Sequence, residues 1–321
     1  MYWIYALVLI AFAANPAGAE EFSVLGGMME QAVTQEPSYA WQLEYLKGLD
    51  EHLAYSLSYL NEGHVTDHHR DGQTAQFWTR TNLLDRRLSL LAGVGAFFYF
   101  DTTAAKQGTS YTNDHGVGAM YSLTAIWYTK ERLLFQVQSN FVETQKSINT
   151  FSTLVGVGYQ LDAPAMQGPI VCVSPQQEMT TRNELTLFAG QTIVNSFNSE
   201  KEVTSSIEYR RGLLTHWDWT AAWFKEGYSR LNQLNGIATE LWAVSAVLDD
   251  RLALGLGGGG YFTLNQYNMA QESSKTVSGV VTMSASCRFQ PHWDTRISWN
   301  RLVTSNNRDT DVLLGGVGYR F

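Results

Sequence analysis

Histidine and aspartate side chains are concentrated in two short segments of the first half of the chain. These segments read EGHVTDHHRDG, from Glu62, and NDHG, from Asn113. Neutral imidazole and carboxylate groups can bind zinc or a similar ion, but neither segment has the C-x-x-C or H-E-x-x-H spacing of a defined metal site. We therefore assign no metal and no cofactor, and we predict a ligand-binding region in two polar loops. Its candidate residues are His64, Asp67, His68, His69, Asp71, Asp114 and His115.

The elements that must hold these loops are β-strands. In HLAYSLSYL, from His52, large apolar residues alternate with small ones, and WDWTAAW places Trp217, Trp219 and Trp223 on one face. A period of two residues indicates strands. The runs have about the length of a tilted strand that crosses a bilayer. After the amino-terminal segment, no run reaches the roughly 18 apolar residues that would indicate a spanning helix.

The connections between the first eight runs alternate between long, polar segments and short ones. NEGHVTDHHRDGQ and DTTAAKQGTSYTNDHG are long, whereas LDRR and TKER are short. Outer-membrane β-barrels have long outer loops and short periplasmic turns. The sequence therefore predicts an all-β, antiparallel, up-and-down transmembrane barrel in the outer membrane of a Gram-negative bacterium. The histidine-rich segments would be the second and third outer loops.

The two halves of the chain resemble each other. At a separation of 164 residues, LEYLKGL from Leu43 aligns with IEYRRGL from Ile207, and LDRRLSL from Leu84 aligns with LDDRLAL from Leu248. GVGY occurs near the end of each half, from Gly156 and from Gly316. We predict an internal duplication of an eight-stranded unit, with 16 strands in all.

Sixteen strands can close in two ways. The inward residues are mostly small, which suits a narrow eight-stranded interior, so we predict tandem eight-stranded barrels, with a single 16-stranded barrel as the alternative. The predicted domains are a first barrel at 20–162, a periplasmic linker at 163–182 and a second barrel at 183–321. Residues 1–19 end in Ala17-Gly18-Ala19 after an apolar run and are predicted to be a signal peptide.

Acidic residues recur at the same positions of the two halves. Strand parity places Glu44, Glu208 and Arg80 on inward faces, where charges need partners. We interpret them as an internal network of ion pairs rather than as a proton relay or an acid catalyst. No residue is assigned as catalytic. The two cysteines, Cys172 and Cys287, are expected to be mostly free thiols.

Two resemblances add to this interpretation. The ending VLLGGVGYRF, with Tyr319 and Phe321, looks like the recognition signal of outer-membrane barrel proteins, which implies delivery by the barrel-assembly machinery. In the segments YLNEGH, HHRDG, NDHGVG and GVGY, each half also resembles the eight-stranded lipid A 3-O-deacylases (acyloxyacyl hydrolase-like). Those enzymes act through a His-x-Ser pair on a late strand. Here Val137 stands two residues before Ser139, so the resemblance supports the barrel and not the catalysis.

Composition restricts the function further. The net charge is −8, so we expect no nucleic-acid partner. The most economical interpretation is a non-enzymatic barrel that is structural or interacts with lipid and lipopolysaccharide. A lipid A-modifying hydrolase and a passive porin are the two alternatives.

Overall fold

The structure is a computed structural model in which every helix or strand of the described residues is a β-strand. It describes residues 20–104, 111–161, 163–164, 166–170, 181–196, 199–226, 234–248, 251–266, 277–304 and 309–321. This part of the chain contains no helix that is long and apolar enough to cross a membrane. The predicted signal peptide, 1–19, and Cys172 lie outside the described residues.

Eight strands form the first barrel, and each pairs antiparallel with its neighbours. β1 also pairs with β8, in a register that sets Gly26 opposite Val155, and this pairing closes the sheet. The strands are β1 Glu20–Gln31, β2 Pro37–Gly48, β3 Leu53–Val65, β4 His68–Leu83, β5 Leu88–Ala104, β6 Tyr111–Tyr128, β7 Leu133–Glu143 and β8 Thr150–Gln160.

Another eight strands form the second barrel, which closes where β9 pairs with β16. In that seam Ala189 lies opposite Gly315. The strands are β9 Asn183–Val194, β10 Lys201–Leu214, β11 Trp217–Glu226, β12 Leu234–Val247, β13 Leu252–Gln266, β14 Val277–Gln290, β15 Trp293–Val303 and β16 Thr310–Arg320. The prediction of two tandem eight-stranded barrels is therefore confirmed, and the single 16-stranded barrel is excluded.

Alternate residues along each strand face opposite sides of the wall, as the period of two requires. Large apolar side chains on the outer face are exposed, among them Phe77, Leu123 and Ile297. The inner face carries small, polar and a few large apolar side chains, which fill the narrow interior. Each barrel thus has an apolar outer surface and a filled centre.

One tryptophan in each barrel packs against glycine on the next strand. The indole Nε1 of Trp78 donates a hydrogen bond to Ser56 Oγ (2.8 Å). A Cβ atom at Gly93 would lie 2.5 Å from the Trp78 ring. In the second barrel, Trp242 donates to Thr220 Oγ1 (2.9 Å) and lies against Gly257 in the same way. The glycines therefore make room for the indole rings inside narrow barrels.

The predicted lengths of the connections need correction. The short turns fall where the sequence places them, at 84–87 and 129–132. The long second loop, however, is mostly strand, because β3 and β4 continue to a two-residue turn at Thr66 and Asp67. β5 and β6 likewise reach 17 and 18 residues. Polar residues here extend the hairpins instead of forming loops, because their backbone groups still find partners in the neighbouring strands.

The space beside Trp78 gives a stability prediction. Gly93→Ala should lower the free energy of unfolding by about 1–3 kcal/mol, because the new methyl group overlaps the indole ring. Gly26→Ala in the same barrel is the control, since no atom lies within 4 Å of a Cβ there. Urea unfolding, followed by tryptophan fluorescence, should give a lower midpoint for Gly93→Ala only. Equal midpoints for the two variants would contradict the packing described.

Candidate functional site

The structure divides the predicted ligand residues between the two faces of the barrel wall. Register shifts between Asn61 and His64, so His64 pairs with His69 and Val65 pairs with His68. His64 and His69 therefore share the outer face, whereas His68 shares the inner face with Arg70. Farther along, Asp71 and His115 fall on the outer face and Asp114 on the inner face, as the pairing of β4, β5 and β6 dictates.

On the outer face the predicted residues interact with one another and with tyrosines. The rings of His64 and His69 have centroids 4.0 Å apart, and Tyr39 contacts His64 edge-on. Asp71 accepts a hydrogen bond from the hydroxyl of Tyr59 at 2.7 Å. Asp67, in the turn, has a φ of 61°, a left-handed conformation that aspartate tolerates well.

The seven predicted residues therefore do not converge on one site. Adjacent positions on a strand point to opposite sides, which separates His68 from His69. Within the described residues, no three His, Cys, Asp or Glu side chains come close enough to hold a metal ion. Whether any of the seven binds a ligand stays a prediction.

At the outer mouth of the first barrel, the interior is organised around Arg70, a residue that sequence reasoning did not select. Its guanidinium is buried and pairs with Glu62. It also donates to Thr150 Oγ1 (2.8 Å), to Ser147 Oγ (3.1 Å) and to the carbonyl of Ile148. Arg70 therefore ties β3, β4 and β8 to the connection between β7 and β8.

That connection, residues 144–149, folds over the mouth. Ile148 is buried in the apolar cluster of the outer half of the barrel, with Val65 and Tyr99. Ser147 donates a hydrogen bond to Asp101 Oδ2 (2.6 Å). The segment is thus held by one apolar anchor and by polar contacts with the wall.

His68 and Asp101 form a close pair at the same mouth. Nδ1 of His68 lies 2.8 Å from Asp101 Oδ2. The Asp101 side chain is 1% exposed, whereas that of His68 is 24% exposed. Asp101 Oδ1 is buried and has no hydrogen-bond partner among the described atoms. Asp114 lies opposite Asp101 on β6, and the hydroxyl of Thr103 is 3.4 Å from its carboxylate.

Deeper in the first barrel, the predicted internal acid Glu44 meets amides instead of a cation. Its carboxylate accepts hydrogen bonds from Gln136 (2.7 Å) and Gln42 (3.1 Å). Gln138 and Asn140 continue this layer of side-chain amides. The expected network of ion pairs therefore does not join Glu44 to Arg80, because Arg80 reaches the turn between β2 and β3 instead.

At that turn Arg80 donates hydrogen bonds to the carbonyls of Asp50 (2.7 Å) and Glu51 (3.3 Å). The carboxylate of Asp50 accepts bonds from the backbone amides of His52 and Leu53, which lowers the pKa of Asp50. A hydrogen bond from Arg86 lowers the pKa of Glu51. The turn is therefore fixed by charged side chains that reach backbone groups.

The second barrel has ions where the first has amides. Arg296 on β15 pairs with Glu184 and with Glu208 (2.8 Å). Arg210 reaches Glu208 (3.3 Å) and Asp218 (3.5 Å), and its guanidinium lies 4.1 Å from the centre of the Trp242 ring. The predicted ion-pair network around Glu208 is therefore present, with Arg296 and Arg210 as its cations.

Equivalent strands of the two barrels supply these groups. Glu44 and Glu208 both lie on the second strand of their barrel, and Gln136 and Arg296 both lie on the seventh. Each pair crosses the interior, once as an amide with a carboxylate and once as an ion pair. In the second barrel Glu240 is also buried, and its Oε2 has no hydrogen-bond partner among the described atoms.

Sequence reasoning missed Arg70, Asp101 and Arg296. The sequence predicts a loop around Arg70, and a second loop that begins at Asp101. A signal for Arg296 was present, because the seventh strand of the second copy has arginine where the first has glutamine. Detecting that signal required the seventh strands to be compared residue by residue.

Comparisons with known proteins give structural likeness only. No family model matches the chain, and no curated protein matches it. The N-terminal β-barrel domain of Pseudomonas aeruginosa OprF aligns with 44% of this chain and 98% of its own, at 11% identity and a TM-score of 0.35. Neisserial surface protein A (NspA) aligns with 46% of this chain and 99% of its own, at 10% identity and a TM-score of 0.37. Ail, the attachment invasion locus protein of Yersinia pestis, aligns with 44% of this chain and 99% of its own, at 10% identity and a TM-score of 0.34.

The architecture and the interior define this chain as a tandem β-barrel protein. At the values given, the likeness to solved structures carries no argument about activity, ligand or partner.

The ionic interior of the second barrel gives a second prediction. Arg296→Met should lower the free energy of unfolding by about 3–5 kcal/mol, because it leaves two buried carboxylates without this partner. Gln136→Met, at the equivalent position of the first barrel, removes a neutral amide and should cost only about 1–3 kcal/mol. Urea unfolding of the full chain measures both.

A double variant is the control for this comparison. Arg296→Gln with Glu208→Gln replaces the ion pair by neutral amides, so it should recover part of the stability that Arg296→Gln alone loses. If the second substitution lowers stability further, the coupling of Glu208 and Arg296 has been misassigned.

Proposed function

We propose that this chain is an integral outer-membrane protein of a Gram-negative bacterium. Its two barrels would serve as membrane-embedded scaffolds that interact with lipid and lipopolysaccharide. The observation that carries the proposal is the exposed apolar outer face of the closed walls. Leu123 is 67% exposed, Phe77 64% and Ile297 67%. A soluble protein gains nothing from exposing such side chains along many strands, whereas a bilayer accommodates them.

Closure of both walls supports the same proposal. In a bilayer, a sheet must satisfy its backbone groups internally, and a closed barrel does so without an unpaired edge. The strands of 10–18 residues are also long enough for the tilted crossing of a hydrocarbon core. We therefore propose outer-membrane lipids and lipopolysaccharide as partners, and the barrel-assembly machinery as the partner during insertion.

The filled interiors favour a scaffold over a passive porin. In the first barrel an apolar cluster lies on each side of the amide layer around Glu44. In the second barrel an apolar cluster that includes Phe188, Phe224 and Tyr261 lies in the outer half. Porins with aqueous channels have many more strands and therefore wider interiors.

A lipid A deacylase is the enzymatic alternative, and the structure supports it less well than the scaffold. Ser139 would be the nucleophile by position, yet its hydroxyl lies 3.3 Å from that of Thr153. Register places both residues on the outer face of the wall. No histidine stands beside Ser139 on β7, so the base that such chemistry needs is absent from this described strand.

A charge placed on the outer face tests the membrane proposal. Leu123→Arg should impair insertion into lipid vesicles, because arginine on a lipid-facing position costs about 2–4 kcal/mol near the bilayer centre. Val33→Arg is the matched control, since Val33 is 83% exposed in the connection between β1 and β2. Heat-modifiable electrophoretic mobility after refolding measures the inserted fraction. Equal insertion of the two variants would contradict the proposal.

The scaffold and porin interpretations differ in conductance. The wild-type protein in planar bilayers should give no stable, large channel, because side chains fill both barrels. Conductance as large as that of a general porin, measured on the same preparation, would favour the porin.

A further inference from the structure

The pair of His68 and Asp101 has a defined protonation geometry. A carboxylate can only accept hydrogen bonds, so Nδ1 of His68 carries the hydrogen that it donates to Asp101 Oδ2, at 2.8 Å. The neutral imidazole then has its lone pair on Nε2. Asp101 is itself held by the hydroxyl of Ser147, which receives a hydrogen bond from Arg70. Both partners are thus oriented by neighbours.

The position of His68 allows its imidazole to contact a molecule in the surrounding solution. His68 lies in the first residues of β4, beside the turn at the outer end of the barrel, and about a quarter of its side chain is exposed (24%). Asp101 is almost fully buried beneath it (1%). A buried carboxylate that orients a partly exposed imidazole is the arrangement found in general-base catalysis, where Asp fixes the tautomer and stabilises the imidazolium that forms.

Charges at the mouth restrict the substrate. Glu62, Asp101 and Asp114 are acidic, whereas the described cations are Arg70, which is engaged by Glu62, and the exposed Lys146 of the connection over the mouth. This excess of negative charge disfavours phosphate esters and other anions. Val65, Tyr99 and Ile148 supply an apolar wall just below. The mouth therefore fits an uncharged or cationic molecule with an apolar group.

We propose that His68 and Asp101 form a general-base dyad that hydrolyses uncharged or cationic carboxylic esters at the outer mouth of the first barrel. Nε2 of His68 accepts a proton from a water molecule as the water oxygen bonds to the carbonyl carbon. When the tetrahedral intermediate collapses, the bond from carbon to the alcohol oxygen breaks, and the imidazolium returns the proton to the leaving alcohol. The products are one carboxylic acid and one alcohol, and the dyad is regenerated.

The second copy provides an internal contrast at the level of sequence. At the repeat separation, His68 and Asp101 correspond to Asn232 and Asn265. Neither asparagine can act as a base, so the activity belongs to the first copy alone. The inference goes beyond the proposed scaffold function and does not depend on it, because it can be measured in detergent.

Hydrolysis of p-nitrophenyl butyrate by the full-length protein in detergent tests the dyad. His68→Ala and Asp101→Asn should each lower kcat/KM at least about tenfold. General-base catalysis contributes about 100-fold or more, so the threshold is a conservative one. His292→Ala is the matched control, because His292 is an exposed histidine in the turn between β14 and β15 of the second barrel. It should retain the wild-type rate within about twofold. Folding of each variant is checked by heat-modifiable mobility.

Three other results of the hydrolysis assay decide for or against the dyad. If His292→Ala and His68→Ala lower the rate equally, the hydrolysis is that of any surface imidazole, and the proposal is overturned. A wild-type rate no higher than that of equimolar free imidazole also overturns it. If Asp101→Asn does not assemble, His68→Gln decides: loss of the rate supports the dyad, and retention refutes it. A merely structural pair would change stability and leave the rate intact.

Discussion

Closure of the sheet is the constraint on which every other feature of this chain depends. Each strand has two hydrogen-bonding edges, and an unpaired edge would be costly in lipid and prone to association in water. In both barrels the last strand returns to the first, β8 to β1 and β16 to β9. Closure with eight strands then fixes a narrow interior, which must be filled by the inward side chains of those same strands.

The two copies fill equivalent interiors by different means. In the first, Glu44 is solvated by side-chain amides, and apolar clusters lie on both sides of this layer. In the second, arginines on β10 and β15 neutralise several carboxylates. The amide layer surrounds a single buried carboxyl group and so buries fewer charges, whereas an ionic layer repays the desolvation cost only when its geometry is good. The shared element is a carboxylate on the second strand that meets a partner from the seventh.

The sequence was sufficient for the architecture because the period of two is a local property. The alternation around Trp217 and Trp219, the short LDRR and TKER turns and the repeat separation together predicted two eight-stranded units. Small inward residues favoured the tandem arrangement, which proved correct. The prediction of a loop at residues 62–71 is wrong, because polar composition does not distinguish a hydrated loop from a hairpin whose strands continue through polar residues.

The candidate site could not be predicted in the same way. Which face a residue occupies near the end of a strand depends on register, and the shift between Asn61 and His64 has no signature in a single sequence. That shift separates His68 from His64, and the pairing of β4 with β5 places His68 beside Asp101, more than thirty residues away along the chain. Long-range pairing decides such contacts, and composition alone does not reveal them.

Cysteine cross-linking across the seam of the first barrel tests separate closure most directly. In a chain whose native cysteines are replaced by serine, Gly26→Cys with Val155→Cys should form a disulfide, because the two positions are directly opposite on β1 and β8. Gly26→Cys with Gly315→Cys, on β1 and β16, should form none. Efficient cross-linking of the second pair, with none of the first, would mean that β1 pairs with β16 in one wide barrel, and would contradict the account.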